Sequence, residues 1–519
     1  MKKLRLISTA LSIIMLVGML NGCGNSKTTT TDENGKYDKK LTYSMSVNHS
    51  DAEIAESASF EYIKQRFNVD FEFYYVPESS AAEKARIWMA TGDMPDILQT
   101  SIGTNYNTFL SWVEQGLIRE LPDLSKWENL QQQQECINGN EYFMVDGKRY
   151  AWLSSGKYVP GEQTINPAPY GFFYRKDIAK ELGLYHDNDE YTWDEFVDLA
   201  RAMRDKFQGT TGFIPWGMDK GLYPYGTGIM MYSPYWEQYK LNEDGTYSWA
   251  FDLPETWEAI EFANKMFREG VFVEEQPIFN GKEASDKFKT GQCGILMQNV
   301  AIYNIRDIFQ QFEATMGKNP EDCISIARVY APDGKMWGQY GMGFGSVTVF
   351  RPDLSDEKLE RIMDIFDWIL SEEGAEMACW GVEGKDHNVV NGEKVLINED
   401  YTINGANPFL AKAMVALYTT PLEIQYKLSG ENVVNMYEDY VDFLVKHDDN
   451  FRTYDYRQLF FGGKEYREHG AYFYDGAELI KRLMPSEKSI DEIKKEYESW
   501  KNSVRPNVEL VLAELNATK

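Results

Sequence analysis

Cysteine is scarce in this chain, which holds five in 519 residues: Cys23, Cys136, Cys293, Cys323 and Cys379. None stands in a CxxC pair and no histidine clusters beside them, so no metal site is expected. Cys136, Cys293, Cys323 and Cys379 allow more than one disulfide pairing in an oxidising compartment, and buried thiols fit a core of this size equally well. The five histidines, His49, His186, His387, His447 and His469, show no ligand spacing. Positive charge is in deficit: 53 Lys and Arg against 81 Asp and Glu leave a net charge of −28. With no basic stripe to neutralise phosphates, this argues against a nucleic-acid partner. The acid is spread along the chain and reads as a solvated surface.

Catalytic signatures are missing too. There is no GxSxG, HExxH or GxxxxGK[ST]. Gly341, Gly343 and Gly345 loosely echo a dinucleotide loop, but Ser346 stands where the third glycine is needed. His186–Glu190 is acidic yet lacks the glycine and closing glutamate of a calcium loop, and reads as a solvated loop. Paired carboxylates for glycoside hydrolysis stay open, because 81 acidic residues offer many pairs whose separation the sequence does not give. No catalytic residue and no cofactor is expected.

The one long apolar run is at the start. Lys2, Lys3 and Arg5 precede Leu6–Met19, which is too short to span a bilayer comfortably, and the run closes on Leu20-Asn21-Gly22-Cys23. That pattern reads as a lipoprotein signal, residues 1–22, with Cys23 left to carry acyl chains after cleavage. An ordinary cleaved signal with an incidental cysteine is the alternative. Residues 23–40, including Asn25–Gly35 (NSKTTTTDENG), read as a polar tether. The mature chain is expected on the outer face of a bacterial cell membrane, held by lipid, and is long enough for two or three domains.

Aromatics are plentiful, at 14% with 33 Tyr and 13 Trp, more than a core needs and suited to lining a wet groove. Lys40–Val47 alternates like a strand, a helical stretch runs to Arg66, and Val69–Val76 is a second strand. Ala81–Thr91 reads as a helix closed by Gly92, and Asp96–Gln99 as a third strand. This β-α-β alternation predicts a mostly parallel sheet. The pattern returns at Gly171–Tyr174 and Lys176–Leu182, then at a capping box of Thr192 and Glu195. Apolar stripes follow through Phe196–Phe207, Trp257–Phe267 (closed by Gly270) and Leu359–Ile369 (closed by Gly374), and read as core. Asn242–Gly245 predicts a hairpin turn, and Ser489–Glu492 caps a final helix toward Trp500.

Several segments in order resemble one family, the extracellular solute-binding proteins of ABC importers, in its carbohydrate group. These are Thr91–Leu98 (TGDMPDIL), Leu110–Leu121 (LSWVEQGLIREL), Asp146–Tyr150 (DGKRY), Phe173–Leu184 (FYRKDIAKELGL), Tyr191–Phe196 (YTWDEF), Phe288–Met297 (FKTGQCGILM) and Trp380–Gly384 (WGVEG). No single segment is strong; the series is. Length and the carboxyl-terminal helical region look most like the large binders of alginate oligosaccharides and complex polysaccharides. Two departures stand out. Arg204–Phe213 lacks the calcium-loop ligands of the alginate binders, and Tyr340–Gly345 (YGMGFG) has no basic residue where they have them. A uronate carboxylate wants arginine, so neutral sugars are favoured.

The resemblance implies an α/β fold of two lobes joined by crossover strands, with a ligand cleft between them. Residues 41–168 with 342–394 would form one lobe, and 169–341 with 395–519 the other. It implies an oligosaccharide ligand, permease subunits as partners and a monomer. Polar contacts are expected from Asn48, Asn105, Gln298, Asn299 and Glu423, and aromatic ones from Trp216, Tyr235, Trp236, Trp337, Tyr340 and Tyr426. A surface-anchored glycan hydrolase, or the same fold binding a non-sugar solute, are the alternatives.

Overall fold

Two sheets organise the chain, and the chain passes between them more than once. The computed structural model describes residues 37–48, 57–77, 80–100, 106–137, 139–158, 166–167, 170–218, 232, 239–279, 282–337, 340–341, 344–397, 416–418, 429–447, 451–452, 460–470 and 472–517. In the first sheet the strands lie in the order 69–76, 41–48, 97–100, 344–350, 152–158 and 416–418. The second has the order 214–218, 293–299, 170–175, 324–330 and 190–192.

Local chemistry sets the first β-α-β units. Ser57 caps helix Ala58–Phe67 by accepting from the Phe60 amide, and Asn68 closes it in the left-handed region at φ 49°. Helix Ala81–Thr91 stops at Gly92, whose φ of 75° favours a residue without Cβ. The chain then enters strand Ile97–Thr100 through Asp96, which is 3% exposed. Its carboxylate takes Lys358 Nζ at 2.8 Å and the Ser44 amide at 3.2 Å, and faces Arg351 Nη2 at 3.0 Å. The second aspartate of the TGDMPDIL segment therefore fastens the first sheet to helix Asp356–Leu370.

Each sheet is buried on both faces. Tyr43, Met45, Phe71 and Ile97 pack with helices 58–67 and 356–370, while Leu98, Leu153, Val347 and Val349 pack with helices 81–91 and 106–114. In the second sheet Phe172, Tyr174, Trp216 and Ile295 face helices 193–206 and 254–268. Phe173, Cys293, Leu296 and Ile326 face helices 283–289, 302–316 and 431–446. This alternation is the period-two pattern of strands covered on both sides. Burial pushes the Cys323 thiol pKa up, as expected of a thiol in this core.

The capping box at Thr192 and Glu195 forms, the hairpin turn at Asn242–Gly245 joins strands 239–241 and 247–249, and Ser489 caps the last helix with Glu492. One expectation changes. Gly374 does not end the helix that begins at Asp356: that helix stops at Leu370, and Ser371 starts another, Glu372–Trp380, by accepting from the Gly374 amide at 3.2 Å. A Cβ on Gly374 would lie 2.0 Å from the Trp368 carbonyl oxygen, so the glycine serves the tight approach of the two helices. The final helix runs past Trp500 to Ala517 with Pro506 inside it.

The chain crosses from the first sheet to the second between 158 and 170, and returns between 330 and 344. Short strands in these crossings pair with each other, Tyr340 with Pro167 and Gly341 with Asn166. Strand 416–418, expected in the second lobe, instead pairs with 152–158 and covers that otherwise open edge. Helix Glu431–Lys446 then packs on the second sheet. Phe460 returns to the first lobe, stacked on Tyr142 at 4.2 Å and 7°. Its neighbour Phe461 meets Tyr247 edge-on at 5.3 Å, against the core of the second sheet.

Candidate functional site

Strand direction places the site. Strands 41–48, 69–76 and 97–100 are mutually parallel, and 344–350 runs antiparallel between 97–100 and 152–158. The carboxyl ends at Asn48, Val76, Thr100 and Tyr158 therefore share one edge of the first sheet. In the second, 214–218 and 293–299 are parallel, and 170–175 is antiparallel to 293–299 and 324–330. Its carboxyl edge carries Met218, Asn299 and Tyr330. The two crossings leave and enter at these edges, so the edges border the same junction. Ligands of open α/β sheets bind outside the carboxyl ends of the strands.

On the second lobe the edge is polar and unsatisfied. Gln298 and Asn299 are half-buried, and Gln298 Oε1 and Asn299 Oδ1 accept no hydrogen bond from the described residues. A desolvated carboxamide oxygen without a donor costs about 1–3 kcal/mol, a cost that a ligand hydroxyl relieves. The backbone beside them is held: Asn304 Nδ2 donates to the Asn299 carbonyl at 2.9 Å. Gly171, in register with Gln298, leaves room for Val300 and Tyr440, since a Cβ there would lie 2.6 Å from Val300 Cγ2. Helix Ile302–Met316 begins just beyond. On its second turn Arg306 is half-buried, with no hydrogen-bond or salt-bridge partner among the described residues, and burial holds its guanidinium pKa below the usual value.

On the first lobe, Asn48 ends its strand in register with Val76. Asn107, in the first turn of helix Tyr106–Glu114 beyond strand 97–100, has a side-chain oxygen without a donor among the described residues. Asn107 escaped the sequence reading, which stopped at Asn105; its signal was an amide in the first turn of a helix that follows a strand. Burial raises the pKa of the adjacent Tyr106 phenol, whose ring meets Phe460 edge-on at 5.5 Å.

Of the remaining expected contacts, Trp337 and Tyr340 lie in the crossing back to the first sheet, Trp337 paired with Arg452 and Tyr340 with Pro167. Trp216 requires correction. It lies inside strand Ile214–Met218, is 0% exposed, and is ringed by Phe172, Trp193, Phe196 and Phe272 at 5.2–5.7 Å. It is core, because the middle of a covered strand cannot face a groove. Cys23, Asn105, Tyr235, Trp236, Glu423 and Tyr426 lie outside the described residues. A surface cavity of about 350 Å³ lined by Arg119, Leu121, Asp356 and Glu360 sits at the opposite edge, where strand 344–350 ends, and takes no part.

Comparison with known proteins gives a consistent picture. The family described as bacterial extracellular solute-binding protein matches residues 51–376. Lipoprotein LipO of Bacillus subtilis is 22% identical over 402 residues, 75% of each chain. The polygalacturonan/rhamnogalacturonan-binding protein YtcQ of the same organism is 22% identical over 394 residues, 72% of each chain. Among solved structures, the Streptococcus pneumoniae ABC-transporter substrate-binding protein FusA, an EF-hand mutant in complex with fructo-nystose, superposes with a TM-score of 0.65 at 15% identity. That match covers 92% of this chain and 98% of FusA, and shows the two-lobed fold.

Proposed function

The chain belongs to the bacterial extracellular solute-binding protein family, and on that premise we propose that it is the lipid-anchored binding component of an ABC importer that captures oligosaccharides. It binds without chemical conversion and hands the sugar to permease subunits. The observation that carries this reading is the carboxyl edge of the second sheet, where Gln298 and Asn299 hold carboxamide oxygens with no donor among the described residues. Amide oxygens accept from sugar hydroxyls, and a hydroxyl missing from the wrong ligand leaves them unpaired, which gives selectivity. Closure of two lobes about the paired crossings would remove the sugar from water and offer the permease one closed surface.

Neutral sugars are favoured because Tyr340–Gly345 offers no cation to a uronate. One observation supports a second reading, an acidic glycan: Arg306 beyond strand 293–299, without a hydrogen-bond or salt-bridge partner among the described residues, is a guanidinium that a carboxylate would satisfy. A relative named for binding polygalacturonan points the same way. A thermal-shift screen of the purified chain against neutral and uronate oligosaccharides separates them, since ligand at 100 times its Kd adds about 2.7 kcal/mol of stability. Stabilisation by neutral sugars alone supports the first reading, by uronates alone the second. Release of shorter sugars on long incubation would instead make the chain a hydrolase.

A further inference from the structure

The outermost strand of the first sheet ends in two half-exposed rings. Along Val69–Val76, Phe71, Phe73 and Tyr75 lie on one face and Tyr74 on the other. Phe71 is 9% exposed, whereas Tyr75 is 40% and Tyr74 48% exposed. Both are firmly backed. Phe73 stacks on Phe71 at 6.1 Å and 8°, and Tyr75 tilts against Phe73 at 6.1 Å. Tyr74 meets Trp88 edge-on at 6.0 Å, and Trp88 is itself buried. Neither phenol hydroxyl has a hydrogen-bond partner among the described residues.

Their position gives these rings meaning. Tyr75 is in register with Val47 and Val76 with Asn48, so the pair lies on the same carboxyl edge as Asn48, one strand further out. A ring already backed by its neighbours loses little freedom when a ligand settles on it, and tyrosine offers an apolar face and a hydroxyl together. We propose that Tyr75 forms an outer glycan subsite, where its ring stacks against a sugar residue beyond those held at Asn48. The protein then prefers longer chains to short ones. This rests on the reading of the chain as an oligosaccharide binder.

Calorimetric titration of the full chain with size-graded cello-, malto- and fructo-oligosaccharides, from disaccharide to hexasaccharide, tests it. In the series that binds, wild type gains affinity with length. Tyr75→Ala loses on the order of tenfold for the longest chains and nothing for the disaccharide. Tyr75→Trp keeps the long-chain affinity, and melting temperatures stay at the wild-type value because the ring is half out of the core. Equal loss at all lengths, or none in the Tyr75→Ala variant, overturns the subsite. Unchanged affinity with impaired uptake in cells makes the ring a docking face for the permease and also overturns it. No binding by wild type at any length refutes the oligosaccharide reading itself and the subsite with it.

Discussion

Replacing Trp216 by alanine separates the core from the groove more sharply than any other single change. Its ring is 0% exposed and meets Phe172, Trp193, Phe196 and Phe272. Removing a buried tryptophan costs about 3–5 kcal/mol, through lost burial and the cavity left behind. Its edge-on aromatic contacts fall within that total rather than adding to it. Its indole Nε1 has no hydrogen-bond partner among the described residues. Trp216→Phe therefore breaks no hydrogen bond and costs less than the alanine change. Urea unfolding followed by circular dichroism reads the midpoint shift, with the slope checked so that a changed denatured state is not mistaken for lost stability. Sugar affinity is then measured well below the melting temperature of the variant. The expected result is a lowered midpoint, partial recovery with phenylalanine, and wild-type affinity in the folded fraction. An alanine variant that unfolds with the wild type but no longer binds sugar would refute the placement of Trp216 in the core.

Three further outcomes are expected. Cys23→Ser releases the protein from membranes in detergent partitioning if Cys23 carries the acyl chains; an unchanged membrane fraction refutes the anchor. Asp96→Ala leaves Lys358 and Arg351 facing a buried gap and costs about 3 kcal/mol, read as a lowered urea midpoint; a loss under 1 kcal/mol would show the cluster to be dispensable. Burial opposes the charge of the Asp252 carboxylate, but two hydrogen bonds from Arg505 at 2.7 Å and the nearby Lys501 outweigh it and hold its pKa below the ordinary value. Its contribution is complete above the unfolded pKa of about 3.9 and is lost as pH falls through the lower folded value. Melting temperature should therefore fall more steeply below about pH 4 in wild type than in Asp252→Asn, and parallel curves would contradict this.

Where structure is local, the sequence was legible. Val69–Val76 and Ala81–Thr91 carry their boundaries in β-branched and aromatic runs and in Gly92, and the capping boxes at Thr192 and Ser489 fix where two helices begin. What failed needed distant partners. Ile214–Met218 is buried at every position, so no alternation marks it as a strand, and Trp216 was expected in the groove instead of the core. Strand 416–418 joins the first sheet because strand 152–158 has a free edge, which no nearby residue announces. The site divides in the same way. Gln298 and Asn299 follow a recognisable strand, whereas Asn107 acquires meaning only when the carboxyl edge is known.

The adjacent phenylalanines 460 and 461 have a consequence for how the molecule is made. One peptide bond separates a ring seated against Tyr142 and Phe143 from a ring seated against Tyr239 and Tyr247. Just after them, Arg467 reaches Glu114 at 2.8 Å, and Glu514 accepts from the amides of Glu465 and Tyr466. A chain emerging amino terminus first thus leaves a hole in its earliest lobe until residue 460 has been made, however well its first three strands have paired. Such distant contacts slow folding and keep unfinished chains sticky. A stop codon ahead of Phe460 would take from each core a ring that it packs around.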